Sequence, residues 1–165
     1  MTQFGQESGA LGAAAADAAR LMCAAKTSAL ATLDRASGQP YASLVTIATD
    51  KDGAPLVLIS GLARHTQNLD ADPRSSLLFT PVGMPTGDPL AGARVTVMGR
   101  MVPTASKTAR ERFLANNPEA AMYASFADFR LFAMAVEHAH FIGGFGRIID
   151  VPGSVLLAAA CNMRV

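Results

Sequence analysis

The chain has 165 residues, half of them hydrophobic and 16% charged, with a net charge of +1 from fourteen basic and thirteen acidic side chains. That size and composition suit one folded domain, exclude a disordered chain and require no disulfide staples. The charge balance, zero Trp and two Tyr argue against a nucleic-acid surface, whether built on phosphate contacts or on base stacking. Cys23 and Cys161 are too few for a metal framework and read as two reduced thiols. The N-terminus has no basic stretch ahead of an apolar core, and no apolar run approaches the roughly 20 residues that cross a bilayer. A cytoplasmic protein with neither a membrane nor a nucleic-acid partner is expected.

Residues 1–27 read as an N-terminal helix. Leu11, Ala15, Ala18, Leu21, Met22 and Ala25 recur at three- and four-residue spacing, with Ser8 as the N-cap. Strands follow at Ser28–Leu33, Tyr41–Thr49 and Leu56–Ser60, separated by the turn segments DRASGQP and DKDGAP, in the pattern of an antiparallel meander. A short helix over Arg64–Ala71 stops near Asp72–Pro73. Strands at Ser76–Thr80 and Arg94–Val102 flank the Pro/Gly loop PVGMPTGDPLAG. A helix over Ser106–Asn116 is followed by a second one opening at Asn117–Pro118 and running to about Phe126. Two more strands, Phe129–Val136 and His140–Ile149, complete a barrel domain over 28–150, and 151–165 form a tail. The fold class is mainly β: a six- to seven-stranded antiparallel barrel, closed or partly closed, with flanking helices.

The most informative segment is LVLISGLARHTQNLDADPRSSLLF, a strand, a glycine turn, a short helix and a strand. Its helix opens with Arg64, His65 and Thr66. Cations at a helix N-terminus oppose the macrodipole unless an anion sits there, so Arg64, His65 and the hydroxyls of Ser60 and Thr66 form a candidate phosphate cradle. Asp70 and Asp72 beside Pro73 read as turn residues. His138 and His140, two apart on a strand, share one face and could meet a metal or a haem iron, but no third ligand lies nearby. The GGFG run lacks the spacing and context of a dinucleotide fingerprint.

The order ATLDRASGQPYASLVTIATDKDG, LISGLARHTQNLDADPRSSLLF, DPLAGARVTVMGR and DFRLFAMAVEHAHFIGGFGRI resembles the pyridoxamine 5′-phosphate oxidase-like, FMN-binding split-barrel superfamily, and within it the bacterial haem-utilisation branch. The resemblance covers about Ser28 to Asp150. It implies a homodimer with two FMN sites at the interface and a flavin-dependent oxidoreductase. Residues 41–47 would run beside the flavin, with Ala42, Ser43, Leu44 and Val45 lining it. Ile59 and Ser60 would end the strand beneath the cofactor. Arg64, His65 and Thr66 would hold the phosphate, and Arg94 would reach the flavin from the partner subunit.

Two departures narrow the activity. The basic residues that vitamin-B6 oxidases carry on the second strand are replaced by Ala42 and Ile47, and their C-terminal Arg-x-His clamp is missing, which argues against pyridoxamine phosphate oxidation. The tail VPGSVLLAAACNMRV holds no histidine, leaving His65, His138 and His140 as iron-ligand candidates. The alternatives are a haem-binding protein that uses the same cleft through His138 or His140, with Arg64 on the propionates, and a flavin module without catalysis. No general acid or base stands out, and neither substrate nor electron donor is specified.

Overall fold

The computed structural model describes residues 3–81, 88–144 and 146–163. Its elements in chain order are α1 (Gln3–Ala24), β1 (Thr27–Leu33), β2 (Pro40–Thr46), β3 (Ala48–Thr49), β4 (Pro55–Ser60), α2 (Arg64–Ala71), β5 (Arg74–Phe79), β6 (Ala93–Pro103), α3 (Lys107–Asn116), α4 (Ala121–Ala124), β7 (Phe129–Gly143), β8 (Ile148–Pro152) and α5 (Gly153–Asn162). The strands form one eight-stranded antiparallel sheet in the order β2-β1-β5-β6-β7-β4-β3, with β8 joined to β7. The sheet curls so that β2 approaches β4, the seam of a split barrel.

Fifteen-residue β7 is the hub. It pairs with β6 along its length, with β4 over its first half and with β8 over its second. The β6–β7 register shifts between Met98 and Gly99: Met98 faces His138 whereas Gly99 faces Val136, leaving Glu137 as the extra residue of a β-bulge. The bulge reverses the alternation. Phe132 and Met134 point into the core before it, and Ala139 and Phe141 after it. A Cβ on Gly99 would land on the Ala135 carbonyl oxygen, and one on Gly153 on the carbonyl oxygens of Val136 and Glu137. Glycine thus lets β6 and the start of α5 close on the bulge from two sides.

The main core lies on the concave face. Ala14, Ala15, Ala18, Ala19 and Met22 of α1 join Val95, Val97, Ala139 and Phe141, with Leu156 and Ala160 of α5 in the same cluster. Small side chains bring α1 close to the sheet. A second cluster covers the convex face of β4 and the first half of β7: Leu56, Leu58 and Leu131 lie under Ala109 and Phe113 of α3, with Ala120 and Ala124. No described helix covers the rest of the convex face.

Several boundaries differ from the sequence reading. The helix at the N-terminus starts at Gln3, so Ser8 lies inside it and is not its cap. Tyr41–Thr49 breaks at Ile47, whose N–H donates to the Lys26 carbonyl while its own carbonyl accepts from the side chains of Asn116 and Asn117. The helix expected after Pro118 is a 3-10 turn and a single α turn. The two expected final strands are one bulged strand, β7, followed by β8, and α5 folds in the tail. Residues 82–87 of the Pro/Gly loop and Phe145 of the GGFG run lie outside the described residues.

Gly99→Ala is expected to destabilise by about 1–3 kcal/mol through overpacking at the bulge. A thermal melt should show a midpoint lowered by roughly 2–4 °C per kcal/mol.

Candidate cofactor site

Strand β4 delivers the chain to Ser60, and a glycine turn leads into α2. The Ser60 hydroxyl donates to Asp128 Oδ2 at 2.5 Å and accepts from the Leu62 N–H at 3.1 Å. The buried Thr66 hydroxyl donates to the Ser60 carbonyl at 2.6 Å. Both hydroxyls expected in a phosphate cradle therefore brace the turn. Buried Asn68 pins the helix by donating to Thr32 Oγ1 at 3.0 Å and accepting from the Arg35 N–H at 3.0 Å.

Arg64 and His65 remain as anion donors. Ala63 at the N-cap brings no side-chain oxygen, and no acid sits in the first turn, so the helix end keeps its positive character. Arg64 Nε lies 3.1 Å from Asp34 Oδ2, with the guanidinium 5.7 Å from the Tyr41 ring centre. His65 Nδ1 lies 3.0 Å from Ser43 Oγ. Burial pushes the His65 pKa below its usual value, so the ring is neutral at pH 7. Asp34 escaped the sequence reading. It accepts from the Ala36 and Ser37 N–H groups and from the Ser37 hydroxyl, bonds that hold its carboxyl below the usual range, with a smaller contribution from Arg64. The clue was its place in DRASG, where Asp caps a turn.

Ala42 and Leu44 alternate with Ser43 and so stand on the other side of β2. Val45 and Ile59 are core residues, leaving only their backbone for a ligand. Arg94 donates to the Leu90 carbonyl at 3.0 Å and also bonds the Gly92 carbonyl, bracing the turn ahead of β6.

His138 and His140 face outward because of the bulge. His140 Nδ1 lies 2.7 Å from Asp150 Oδ1, a contact that leaves Nε2 as the outward nitrogen. The paired registers place Leu44, Ala29, Leu78, Thr96, His140 and Asp150 in one row across the convex face. The next row holds Ala42, Ala31, Ser76, Met98, His138 and Pro152. Leu44 is 74% exposed and Ile148 is 62% exposed on this face. It is an open platform of small and apolar residues with two histidines. Ser43 of β2 and His140 of β7 lie four strands apart in the sheet order.

A sequence model of the pyridoxamine 5′-phosphate oxidase family matches residues 15–143, and the chain belongs to that family. Its relatives place it beside the haem-utilisation branch. It is 31% identical to the haem oxygenase HutZ of Vibrio cholerae over 142 residues, 80% of this chain and 77% of that protein. It is 33% identical to the chloroplastic non-canonical haem oxygenase HOZ of Arabidopsis thaliana over 112 residues, 65% of this chain but only 33% of the plant protein. A structure of a haem-binding protein from Mycobacterium smegmatis superposes with a TM-score of 0.80 at 34% identity, over 87% of this chain and 60% of that one. The chain thus spans about a third of the plant relative. No described helix is long and apolar enough to cross a membrane.

Because His65 is held neutral, a bound dianion should draw a proton onto it. Sulfate, whose charge is constant in this range, is expected to bind more tightly as pH falls and the ring, whose pKa burial holds below its usual value, takes up a proton. Titrations of His65→Gln should lose that dependence, and Asp34→Asn should bind sulfate several-fold more tightly because Arg64 loses its internal counter-ion.

Proposed function

We propose that this chain is a haem-binding protein that works as a homodimer, the open convex faces of two copies enclosing the porphyrin. The observation that carries this reading is the His140–Asp150 contact on an uncovered, largely apolar face. A metal-ligating histidine commonly gives its other nitrogen to a carboxylate, which fixes the ring and raises its basicity. Here Asp150 takes Nδ1 and leaves Nε2 for the iron. His138, on the same face, is the other candidate ligand. The names of the three relatives support the choice of ligand.

In this reading two copies share the site. Arg64 and His65 of one copy would hold the haem carboxylates while His140 of the other meets the iron. Exposed Leu44, Leu78 and Ile148 would exclude water from the joint. Haem supplies the electron and oxygen chemistry when bound, and the protein supplies orientation and a dry face. Haem breakdown with an external electron donor is the activity that the two oxygenase relatives suggest.

A second reading has its own observation. The uncapped, basic first turn of α2 suits a phosphate, and FMN carries one. In that reading the chain is an FMN-dependent oxidoreductase, with Ser43, Arg64 and His65 at the phosphate and the backbone of 42–45 along the ring.

His138→Ala/His140→Ala is expected to lose the Soret band that wild-type protein retains with haemin after desalting. A band kept unchanged by the double variant contradicts the haem reading. Arg64→Ala/His65→Ala removes two charge-assisted contacts of about 1.5–3 kcal/mol each. Affinity for the bound cofactor should fall tenfold or more in a fluorescence or absorbance titration.

A further inference from the structure

A cavity of about 490 Å³ lies where α1 crosses one end of the barrel, beside the ends of β5 and β7 and the start of β6. That volume falls within the range of small-molecule sites, roughly 300–1,000 Å³. Asp17, Arg20, Leu21 and Ala24 of α1 line it, together with Ala93 of β6 and Arg147 from the turn between β7 and β8. It shares no residue with the histidine platform or with α2.

The GGFG run, which does not serve a dinucleotide, places Arg147. Gly144 and Gly146 take the left-handed φ angles of +95° and +80°, and the Gly143 N–H donates to the Arg147 carbonyl at 2.8 Å. A Cβ on Gly143 would come within 2.9 Å of the Phe141 ring and 3.0 Å of Arg147 Cδ. Glycine there lets the Arg147 side chain lie along Phe141, with its guanidinium 5.3 Å from the ring centre.

The lining carries one positive charge more than it answers. Arg147 Nη1 lies 2.7 Å from Asp17 Oδ2, and Arg20 Nη1 lies 2.9 Å from Asp17 Oδ1. One carboxylate thus serves two guanidiniums through one nitrogen each, and Asp17 is the single acid in the lining among the described residues. Of the acids flanking it in the chain, Asp88 accepts from the Leu90 N–H and Asp150 meets His140. Both cations are within reach of a ligand, with 67% of the Arg20 side chain and 39% of the Arg147 side chain accessible. Arg147 meets α1 at Asp17, about two turns before the helix ends at Ala24, so the negative pole of the helix lies elsewhere. The rest of the accessible wall, Leu21, Ala24 and Ala93, is apolar.

We propose that this cavity binds an aromatic monocarboxylate. Its carboxylate sits between Arg20 and Arg147, on the guanidinium nitrogens that Asp17 leaves free, and completes a square of two cations and two anions. Its ring lies on Leu21, Ala24 and Ala93, and stacks on the face of the planar Arg147 guanidinium turned away from Phe141. One unanswered charge beside an apolar wall suits a monoanion with an apolar body better than inorganic phosphate.

The test titrates the full-length protein into 2-naphthoate and follows the ligand's fluorescence, which the chain, having no Trp, leaves free of indole background. The neutral 2-naphthamide is the control for the charge, and inorganic phosphate is the competitor. The expected result is saturable naphthoate binding, at least tenfold tighter than that of the amide and not displaced by equimolar phosphate. Affinity should fall at least tenfold in Arg147→Gln and several-fold in Arg20→Gln, and stay unchanged in Arg64→Ala/His65→Ala. That last arm separates this cavity from the haem or FMN site. The amide comparison uses the wild-type protein and Arg20→Gln alters an exposed side chain, so both readouts hold even where Arg147→Gln fails to fold. Absence of saturable binding, equal affinity for the amide, undiminished affinity in either arginine variant, displacement by phosphate, or loss of binding in Arg64→Ala/His65→Ala would overturn the proposal.

Discussion

The bulge at Glu137 is the constraint on which the molecule's presentation of chemistry depends. An unbroken strand would give His138 and His140 the phase of Phe132 and Met134, which point into the core. The extra residue reverses that phase, so both imidazoles stand on the convex face while Ala139 and Phe141 fill the interior. The reversal is possible because glycine stands on each side of it. Gly99 lets β6 pass the Ala135 carbonyl, and Gly153 lets α5 start against the carbonyls of Val136 and Glu137. The same helix start that seats the tail in the core therefore supports the strand that displays the histidines.

The helices complete the division of labour. Alanine-rich α1 and α5 pack into the concave side, and α3 with α4 shields only β4 and the first half of β7. What remains open is a continuous face across β2, β1, β5, β6 and the second half of β7. At its edge, the first turn of α2 carries two donors already engaged internally, the Arg64 cation by Asp34 and the neutral His65 ring by Ser43. An incoming anion competes with those contacts, so the affinity of the site depends on Asp34 and on the protonation of His65 as well as on its donors.

Much of this was legible in the sequence. Turn chemistry located most strands and α2, and the sign of the helix dipole singled out Arg64 and His65. The sequence pattern ends one strand at Val136 and begins another at His140, where the structure has one bulged strand. A bulge and a turn give the same local break in alternation, and only the pairing of Gly99 with Val136 tells them apart. Hydroxyls near a helix start can serve either ligand or turn; the Ser60 hydroxyl finds its acceptor in Asp128, far away in the chain, and Thr66 bonds the Ser60 carbonyl within the same turn. The α5 helix was missed because its small apolar residues gain their reason from α1 and Gly53, far away in the chain.

The most direct measurement is the visible spectrum of purified protein passed through a desalting column after separate incubation with haemin and with FMN. The account predicts a retained, sharp Soret band with haemin at one haem per protomer or per interface site. Retention of FMN with no retained haem would contradict it and move the function to the cationic turn of α2.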